Sequence, residues 1–446
     1  MARWLYWLLL GVPLALLAKF LGWSEVLVFA FSAIALIPLA GLIGVATEEL
    51  AEIVGPLVGG LLNATFGNAP ELIIGIAALQ AGLLDVVRAS ITGSIIGNTL
   101  LVLGMAVFFG GWRNGRQYFD ARNAGQYASM LALAVVGLVL PALASAFGTS
   151  PASESAHTGV NIHAISALVS VVLLISYVAY LAYTVFHLRD KVSRPPREVR
   201  EGKAPKPEED GPPLVPPSPV LAEEQEEELR EEVKAERARQ TKARRAKAGT
   251  PATSAASVST QNNTTPKQAA QERQGKRIAK APASAGHAHH SRPSWKVAWR
   301  PMTLLAVATV ATAVMSEFMV GGIETVTEQL GWSQLFIGLI IVPIVGNAAE
   351  HASAVTMALK DRMDVTLAIA AGSSIQVALL VAPVLVLVSF LFANPLDLVF
   401  RPLELVVFGL ATFLFSLTNL DGESTWLEGF LMLAFYAMVG VIAYFL

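Results

Sequence analysis

The chain has 446 residues, of which 54% are hydrophobic, with a mean hydropathy of +0.55 and a formal net charge of −2. It contains no cysteine, which excludes disulfides, thiolate metal sites and cysteine nucleophiles. Most of the charge lies between Arg189 and Arg300, and the remainder consists mainly of apolar runs of about 20 residues or more, long enough to cross a bilayer. These features predict a multi-span membrane protein.

Eleven apolar segments follow one another along the chain, and we predict that each forms a transmembrane helix. They run over residues 3–21, 25–47, 55–81, 86–110, 123–147, 161–187, 298–320, 333–359, 364–392, 398–418 and 425–446. The first resembles a signal peptide but lacks a small-residue cleavage site, so we interpret it as a retained helix.

The Lys and Arg residues of the short loops predict the orientation. With the N-terminus inside, clusters such as Arg113, Arg116 and Arg122 fall in the cytoplasm, and few basic residues fall outside. The middle loop is then also cytoplasmic. No organelle-targeting signal is evident, so the expected location is the prokaryotic cell (inner) membrane.

Two near-copies of one short sequence lie in the third and eighth segments, at residues 67–71 (GNAPE) and 346–351 (GNAAEH). One constant offset, without a gap, also aligns Asp85 with Asp364. Five crossings separate the two motif segments, so the copies point in opposite directions through the membrane. This is the pattern of an inverted repeat, an architecture of transporters.

The predicted fold is an all-α membrane protein with about eleven transmembrane helices, divided into four regions. They are an extra N-terminal helix (1–23), a first five-helix repeat (24–187), a cytoplasmic loop (188–297) and a second five-helix repeat (298–446). The loop is rich in Pro, Ala, Ser, Lys and Glu, which predicts disorder apart from a charged helix at residues 223–247. We interpret it as a tether; a regulatory or cation-buffering role is the alternative.

Each motif pairs an Asn with a Glu three residues later, Asn68 with Glu71 and Asn347 with Glu350. In a helix this spacing places both side chains on one face. A carboxylate at the bilayer centre costs roughly 2.5–3.5 kcal/mol on insertion scales, which either a divalent cation or protons can relieve. A site that is neutralised either by the cation or by protons, but not by both at once, predicts cation/proton exchange. The alternative is a structural hydrogen bond between helices.

The main-chain carbonyl of Phe66 is a further possible ligand, because Pro70 has no N–H to donate to it. Carboxylates, amide oxygens and carbonyls form a hard-oxygen set that suits Ca²⁺, Mg²⁺ or Mn²⁺. We therefore predict that Glu71 and Glu350 bind a transported metal ion. No cofactor and no nucleic-acid partner are expected.

Other polar residues are candidates for supporting this site or its entry pathways. They are Ser94, Asn98, Ser373, Ser374 and Gln376 in the following helices, His351 beside Glu350, and Glu48, Glu317 and Glu324 near the predicted mouths. The hydroxyl and amide groups are equally expected as contacts between helices. His351 is predicted either to relay protons or orient the carboxylate, or to be a simple buried hydrogen-bonding group.

Residues 67–73 (GNAPELI) and 346–351 (GNAAEH) resemble the two repeat motifs of the calcium/proton antiporters of the calcium/cation antiporter superfamily. The trailing His of the second is typical of the proton-coupled branch. Residues 93–98 (GSIIGN) and 372–377 (GSSIQV) resemble the adjoining helices of that family.

This resemblance implies eleven helices, with Glu71 and Glu350 alternately holding Ca²⁺ and protons and with Asn68 and Asn347 flanking them. It also implies an acidic helix between the sixth and seventh spans, which residues 223–232 match.

We predict a secondary active transporter, not an enzyme, that exports Ca²⁺ from the cytoplasm in exchange for protons by alternating access. A Na⁺- or K⁺-coupled (or Na⁺/H⁺) exchanger with the same site is the related alternative. An intramembrane hydrolase using Glu350 and His351 is the alternative of another class. The inverted repeat argues against it, because such a catalytic pair needs no second carboxylate in the other copy of the helix. A channel would conduct without stoichiometric coupling. Ion selectivity and oligomeric state are left open.

Overall fold

Helices account for nearly all of the structure, a computed structural model that describes residues 3–148, 161–185 and 295–446. The exception is one pair of two-residue strands. The charged helix predicted at residues 223–247 lies outside the described residues, as does nearly all of the predicted loop 188–297.

The N-terminal part begins with a 3₁₀ segment, Arg3–Leu10. The elements that follow are α1 (Gly11–Phe20), α2 (Glu25–Val54), α3 (Pro56–Phe66), α4 (Ala69–Gln80), α5 (Leu84–Ile96), α6 (Leu103–Asn114), β1 (Gln117–Tyr118), α7 (Ala121–Gly148) and α8 (Ile162–Val185). A π-helical turn, Gly97–Val102, joins α5 to α6.

The C-terminal part repeats much of this order. Its elements are α9 (Trp295–Gly321), α10 (Ile323–Leu330), α11 (Gln334–Phe336), α12 (Val342–Gly346), α13 (Ala348–Leu359), α14 (Met363–Gln376), α15 (Ala382–Ser389), α16 (Pro402–Thr418), β2 (Glu423–Ser424) and α17 (Trp426–Phe445). Two further π-helical turns join α11 to α12 (Ile337–Ile341) and α14 to α15 (Val377–Val381).

The described residues contain seven helical stretches long and apolar enough to cross a membrane, or eight if one bent pair is a single span. Three shorter apolar helices lie at Tyr6–Phe20, Ala69–Gln80 and Pro402–Thr418. Every predicted apolar segment therefore contains helix, and the helical membrane class is confirmed. The number of crossings and the inverted relation of the two halves remain predictions.

The third and eighth segments differ from the prediction, because neither is one continuous helix. The third is divided into α3 and α4, and the eighth bends by 62° between Gly346 and Ala348. The constant offset that aligns the motifs also aligns the bounds of α4 with those of α13. A second difference is that α2 continues to Val54, seven residues beyond its predicted end at 47.

Small residues allow close packing between α5 and the π-helical turn Ile337–Ile341. A Cβ on Gly93 would overlap the carbonyl oxygen of Leu339, and one on Gly338 would lie 2.6 Å from the Cβ of Ala89. The equivalent of Gly93 in the other half is Gly372, and nothing lies within 4 Å of its Cβ position. The two halves are therefore packed differently at corresponding places.

Polar contacts tie the C-terminal end of α13 to the loop after α6. The side-chain N–H of Gln117 donates to the carbonyl of Ala358 at 2.8 Å and to Oδ1 of Asp361 at 3.0 Å. Asn114 also donates to the Ala358 carbonyl, at 3.0 Å. This end of α13, the helix that begins at the second motif, is thereby fixed to α6 and β1.

Candidate functional site

The two motifs form matching breaks in the helices. Asn68 lies just before α4 with φ −104° and ψ 18°, and Asn347 lies just before α13 with φ −94° and ψ 11°. Both conformations fall in the bridge region, outside the helical range. Each Asn is thus the N-cap residue of the helix that carries its Glu, rather than a residue within that helix. That the two side chains of each motif share one face stays a prediction.

Local sequence accounts for the first break. Pro70 stands in the first turn of α4, where a missing N–H is tolerated, and α3 ends at Phe66. Pro70 has no N–H to donate to the carbonyl of Phe66, and a role for that carbonyl as a cation ligand stays a prediction. Each break places one carboxylate, Glu71 or Glu350, in the first turn of a new helix.

The carboxylate of Glu71 reaches the break of the other motif. A Cβ built on Gly346 would lie 3.1 Å from Oε1 of Glu71. Any larger residue at position 346 would displace the Glu71 side chain, so the glycine allows the two motifs to meet.

Amide groups connect each motif to the helix that follows the other motif. Asn68 Nδ2 donates to Oε1 of Gln376 in α14, and Asn347 Nδ2 donates to the hydroxyl of Ser94 in α5 at 3.3 Å. In addition, Asn98 Nδ2 donates to the Ser373 hydroxyl at 2.8 Å.

The Ser373 side chain lies close to the Glu350 carboxylate. A hydroxyl that accepts from Asn98 still has its own proton to donate, so Ser373 is placed to link Asn98 to Glu350.

Several buried oxygens around the motifs accept no hydrogen bond. They are Asn68 Oδ1, Asn98 Oδ1, Asn347 Oδ1, Glu71 Oε2 and Glu350 Oε2. Native proteins pair the large majority of buried side-chain polar atoms, so such a group of unpaired acceptors requires an explanation. Because the amide nitrogens are occupied as donors, the amide oxygens are left available for a positively charged partner.

A small cavity of about 10 Å³ adjoins this cluster. Its polar lining comes from Glu71, Ser90, Ser94 and Gly346, and the remaining lining is aliphatic. That volume is on the order of the smallest cavity that holds one water molecule. Ser90 was missed by sequence analysis, although it stands one helical turn before Ser94 and so on the same face.

Two other predicted residues make no side-chain hydrogen bond to either motif. The Ser374 hydroxyl donates to the backbone carbonyls of Ala370 and Ile95, at 3.1 and 3.2 Å, rather than to either motif. His351 is partly buried and makes no hydrogen bond through its side chain to another described residue.

The acidic residues proposed for the mouths, Glu48, Glu317 and Glu324, are exposed and do not line the cavity. Glu48 lies within α2 and not at its end, because the helix continues to Val54.

Comparison with known proteins identifies the family. The family model described as sodium/calcium exchanger protein matches residues 24–186 and 301–445. A Ca²⁺/H⁺ antiporter of a Synechocystis species is 37% identical over 98% of this chain and 96% of its own length. The Ca²⁺/H⁺ antiporter ChaA of Bacillus subtilis is 35% identical over 97% of this chain and 95% of its own length.

Solved structures agree with these matches. Native YfkE superimposes with a TM-score of 0.67 at 31% identity, covering 99% of this chain and all of that chain. An H⁺/Ca²⁺ exchanger, CAX, has the same fold, with a TM-score of 0.58 at 13% identity over 98% of this chain and 90% of its own. The chain therefore belongs to the sodium/calcium exchanger protein family, within the calcium/cation antiporters, and is an integral membrane protein.

Proposed function

We propose that this protein exchanges Ca²⁺ for protons at a site formed by the two motifs. The observation that carries the proposal is the cluster of unpaired acceptor oxygens around Glu71 and Glu350. Carboxylate and amide oxygens are hard ligands of the kind that Ca²⁺ prefers. The names of the relatives, which are Ca²⁺/H⁺ antiporters, support the same choice.

The number of carboxylates sets the charge of the bound ion. Among the described residues, no three His, Cys, Asp or Glu side chains come together as a metal site. A divalent cation would therefore rest on two carboxylates, which neutralise it, and on amide and hydroxyl oxygens, which complete its shell. Protons are the other species that can neutralise the same pair, so cation and protons compete for one place.

We propose further that the exchange proceeds by alternating access, with the cytoplasm as the source of Ca²⁺. The neutral, occupied site can cross between its two conformations more easily than a site with two unpaired negative charges. Not all of the predicted residues have the same role in this scheme. Asn68 and Asn347 flank the carboxylates, whereas Ser94, Asn98, Ser373 and Gln376 orient the amides and Glu350.

Transport into sealed proteoliposomes tests this function. With an acidic lumen and no added Na⁺ or K⁺, we expect the pH gradient to drive Ca²⁺ uptake. Glu71→Gln and Glu350→Gln should each abolish uptake, because each removes a charge needed to neutralise the ion. Glu328→Gln, at an exposed position in α10, is the matched control and should retain it.

Two results would overturn the proposal. Robust uptake by either glutamine variant would remove the site assignment. Uptake that requires Na⁺ or K⁺ and ignores the pH gradient would instead favour the Na⁺- or K⁺-coupled alternative at the same motifs.

A further inference from the structure

A cluster of charged side chains joins the start of α5 to the segment before α16. Arg401 contacts Oδ2 of Asp85 at 2.7 Å, and Arg88 lies 3.3 Å from Oδ1 of Asp397. Glu404, only 2% exposed, accepts the backbone N–H of Arg401 at 2.8 Å. At this end of the molecule, each arginine therefore has a carboxylate partner.

The offset that aligns the two motifs places Arg122 opposite Arg401 and Gly125 opposite Glu404. At this second end no carboxylate stands at the position that corresponds to Glu404, because that residue is a glycine. The counterpart of Asp85 is Asp364, whose Oδ1 accepts the backbone N–H of Asp120 at 2.9 Å. Within the described part of the chain, the guanidinium of Arg122 makes no ion pair.

The space that corresponds to the Glu404 side chain is open, and the shallow depression there on the surface of α7 is called the groove below. A Cβ on Gly125 would have no atom within 4 Å. The groove has a volume of about 380 Å³ and is lined by Arg122, Gly125, Gln126, Ser129 and Met130. The Asp120 carboxylate near it accepts the backbone N–H groups of Arg122 and Asn123 at the start of α7.

The groove continues directly into a surface that faces lipid. Arg122, Gly125 and Ser129 are exposed on one face of α7, and the same face continues through Leu133, Val136 and Leu140, which are each more than half exposed. Such an apolar stripe on a membrane helix contacts acyl chains.

Aromatic side chains mark the depth of the groove in the bilayer. Trp112 and Tyr118, in the segment that leads to α7, are 72% and 68% exposed. Trp112 also contacts Trp426, with ring centroids 6.0 Å apart. Exposed Trp and Tyr collect at the level of lipid headgroups. The unneutralised Arg122 therefore lies where lipid phosphates are found.

We propose that this groove binds the phosphate of an anionic phospholipid, with an acyl chain lying along the stripe of Leu133, Val136 and Leu140. The Arg122 guanidinium presents a fork of donors that suits phosphate oxygens, and the Gln126 amide can donate beside it. Phosphate supplies here the negative charge that Asp85 and Glu404 supply at the opposite end. The inference does not depend on which ions the protein transports.

Lipid binding to the purified full chain tests the proposal. In detergent, thermal unfolding and native mass spectrometry are followed while dioleoyl phosphatidylglycerol or dioleoyl phosphatidylcholine is added. We expect phosphatidylglycerol to raise the unfolding midpoint more and to remain bound more strongly. Arg122→Gln should weaken that retention about tenfold or more, because a charge-assisted hydrogen bond is lost.

A second variant and a control keep the test independent of folding defects. Gly125→Glu introduces the carboxylate found at position 404 into the counterpart position and should remove the preference for phosphatidylglycerol. Because Gly is a poor helix former, this change should not destabilise lipid-free α7. Arg113→Gln removes an exposed arginine that does not line the groove and should keep the preference.

The proposal would be overturned if the unaltered protein did not distinguish the two lipids, or if Arg122→Gln and Gly125→Glu both kept the preference. It would also be overturned if replacing Glu226, Glu227 and Glu228 together by Gln greatly increased phosphatidylglycerol binding. That result would assign the groove to the acidic segment of the chain itself.

Discussion

At the scale of single residues, the orientation of three side-chain amides decides which of their atoms are free to bind the proposed cation. The nitrogens of Asn68, Asn98 and Asn347 donate to side chains of the opposite half, and their oxygens are left without donors. A buried acceptor without a partner is costly unless something positive replaces water. If the proposed ion site is correct, these amide contacts prepare it before the ion binds.

Loss of the Gln376 side chain should weaken Ca²⁺ binding. In Gln376→Ala the Asn68 amide loses its acceptor, so its oxygen is no longer held toward the carboxylates. An orphaned buried donor costs about 1–3 kcal/mol, which corresponds to roughly five- to 150-fold in affinity. Ser374→Ala is the matched control, because that hydroxyl bonds only to backbone carbonyls and its loss should change affinity little.

Calcium titration of the two purified variants measures the difference. Equal affinities for Gln376→Ala and Ser374→Ala would contradict the role assigned to the Asn68 amide.

Sequence reasoning could reach the identity of the central residues but not their partners. The repeated Asn and Glu of each motif were evident because their residue types and spacing recur. The contact of Asn68 with Gln376 depends on how distant helices pack, and no pattern within either helix indicates it. Ser374 was predicted beside Ser373 as an equal candidate, yet only one of the two adjacent side chains can face the motif.

At the scale of elements, prolines and glycines control the approach of one helix to another. Pro343 removes the N–H that would bond to the carbonyl of Leu339, and that carbonyl lies against Gly93 in α5. The π-helical turn Ile337–Ile341 lies just before this proline. Close approach of this turn to α5 fixes the helix that ends at the second break.

A methyl group at this contact should destabilise the fold. Gly93→Ala would place Cβ against the Leu339 carbonyl oxygen and 2.5 Å from Cγ of Pro343, neither of which can yield easily. Overpacking of this kind costs about 1–3 kcal/mol. We expect a lower unfolding midpoint in detergent for Gly93→Ala.

The matched control is Gly409→Ala in α16, where the added Cβ meets nothing within 4 Å. This change should leave the midpoint unchanged or raise it slightly. If the two variants unfold alike, the packing account of Gly93 fails.

The sequence predicted helices better than it predicted their interruptions. The length of each apolar segment was enough to predict that it contains helix, because a backbone that crosses a bilayer must satisfy its own hydrogen bonds. Pro70 gave a reason for the first break, but the second motif has Ala349 at that position and still breaks at Asn347. No proline accounts for this second break, and Gly346 and Asn347 there lie beside Glu71 and Ser94 of the other half.

At the scale of the whole molecule, two halves with matching elements are packed unequally. The helix before the second break closes on α5 around Gly93, whereas no atom approaches Gly372 in the corresponding place on α14. Under the proposed alternating access, α3 would close on α14 in the opposite conformation. The unequal packing then represents one of two conformations in which the two halves exchange their packing.

Gly372→Ala should therefore impair transport without impairing the fold. The added methyl group meets nothing in this conformation, so the unfolding midpoint should not fall. In the opposite conformation it would hinder the approach of α3, and exchange should slow by about tenfold for each 1.4 kcal/mol of hindrance. Turnover in proteoliposomes and unfolding in detergent are measured on the same preparation, and unchanged turnover would contradict this view.

The central claim is that Glu71 and Glu350 together hold one Ca²⁺ that protons displace. Calorimetric titration of the purified protein with Ca²⁺, repeated in buffers of different ionisation enthalpy, measures ion binding and proton release at once. We predict one Ca²⁺ per chain, proton release on binding, weaker binding at lower pH, and loss of both signals in Glu71→Gln and in Glu350→Gln. Calcium binding of unchanged affinity and proton release in either variant would contradict the claim.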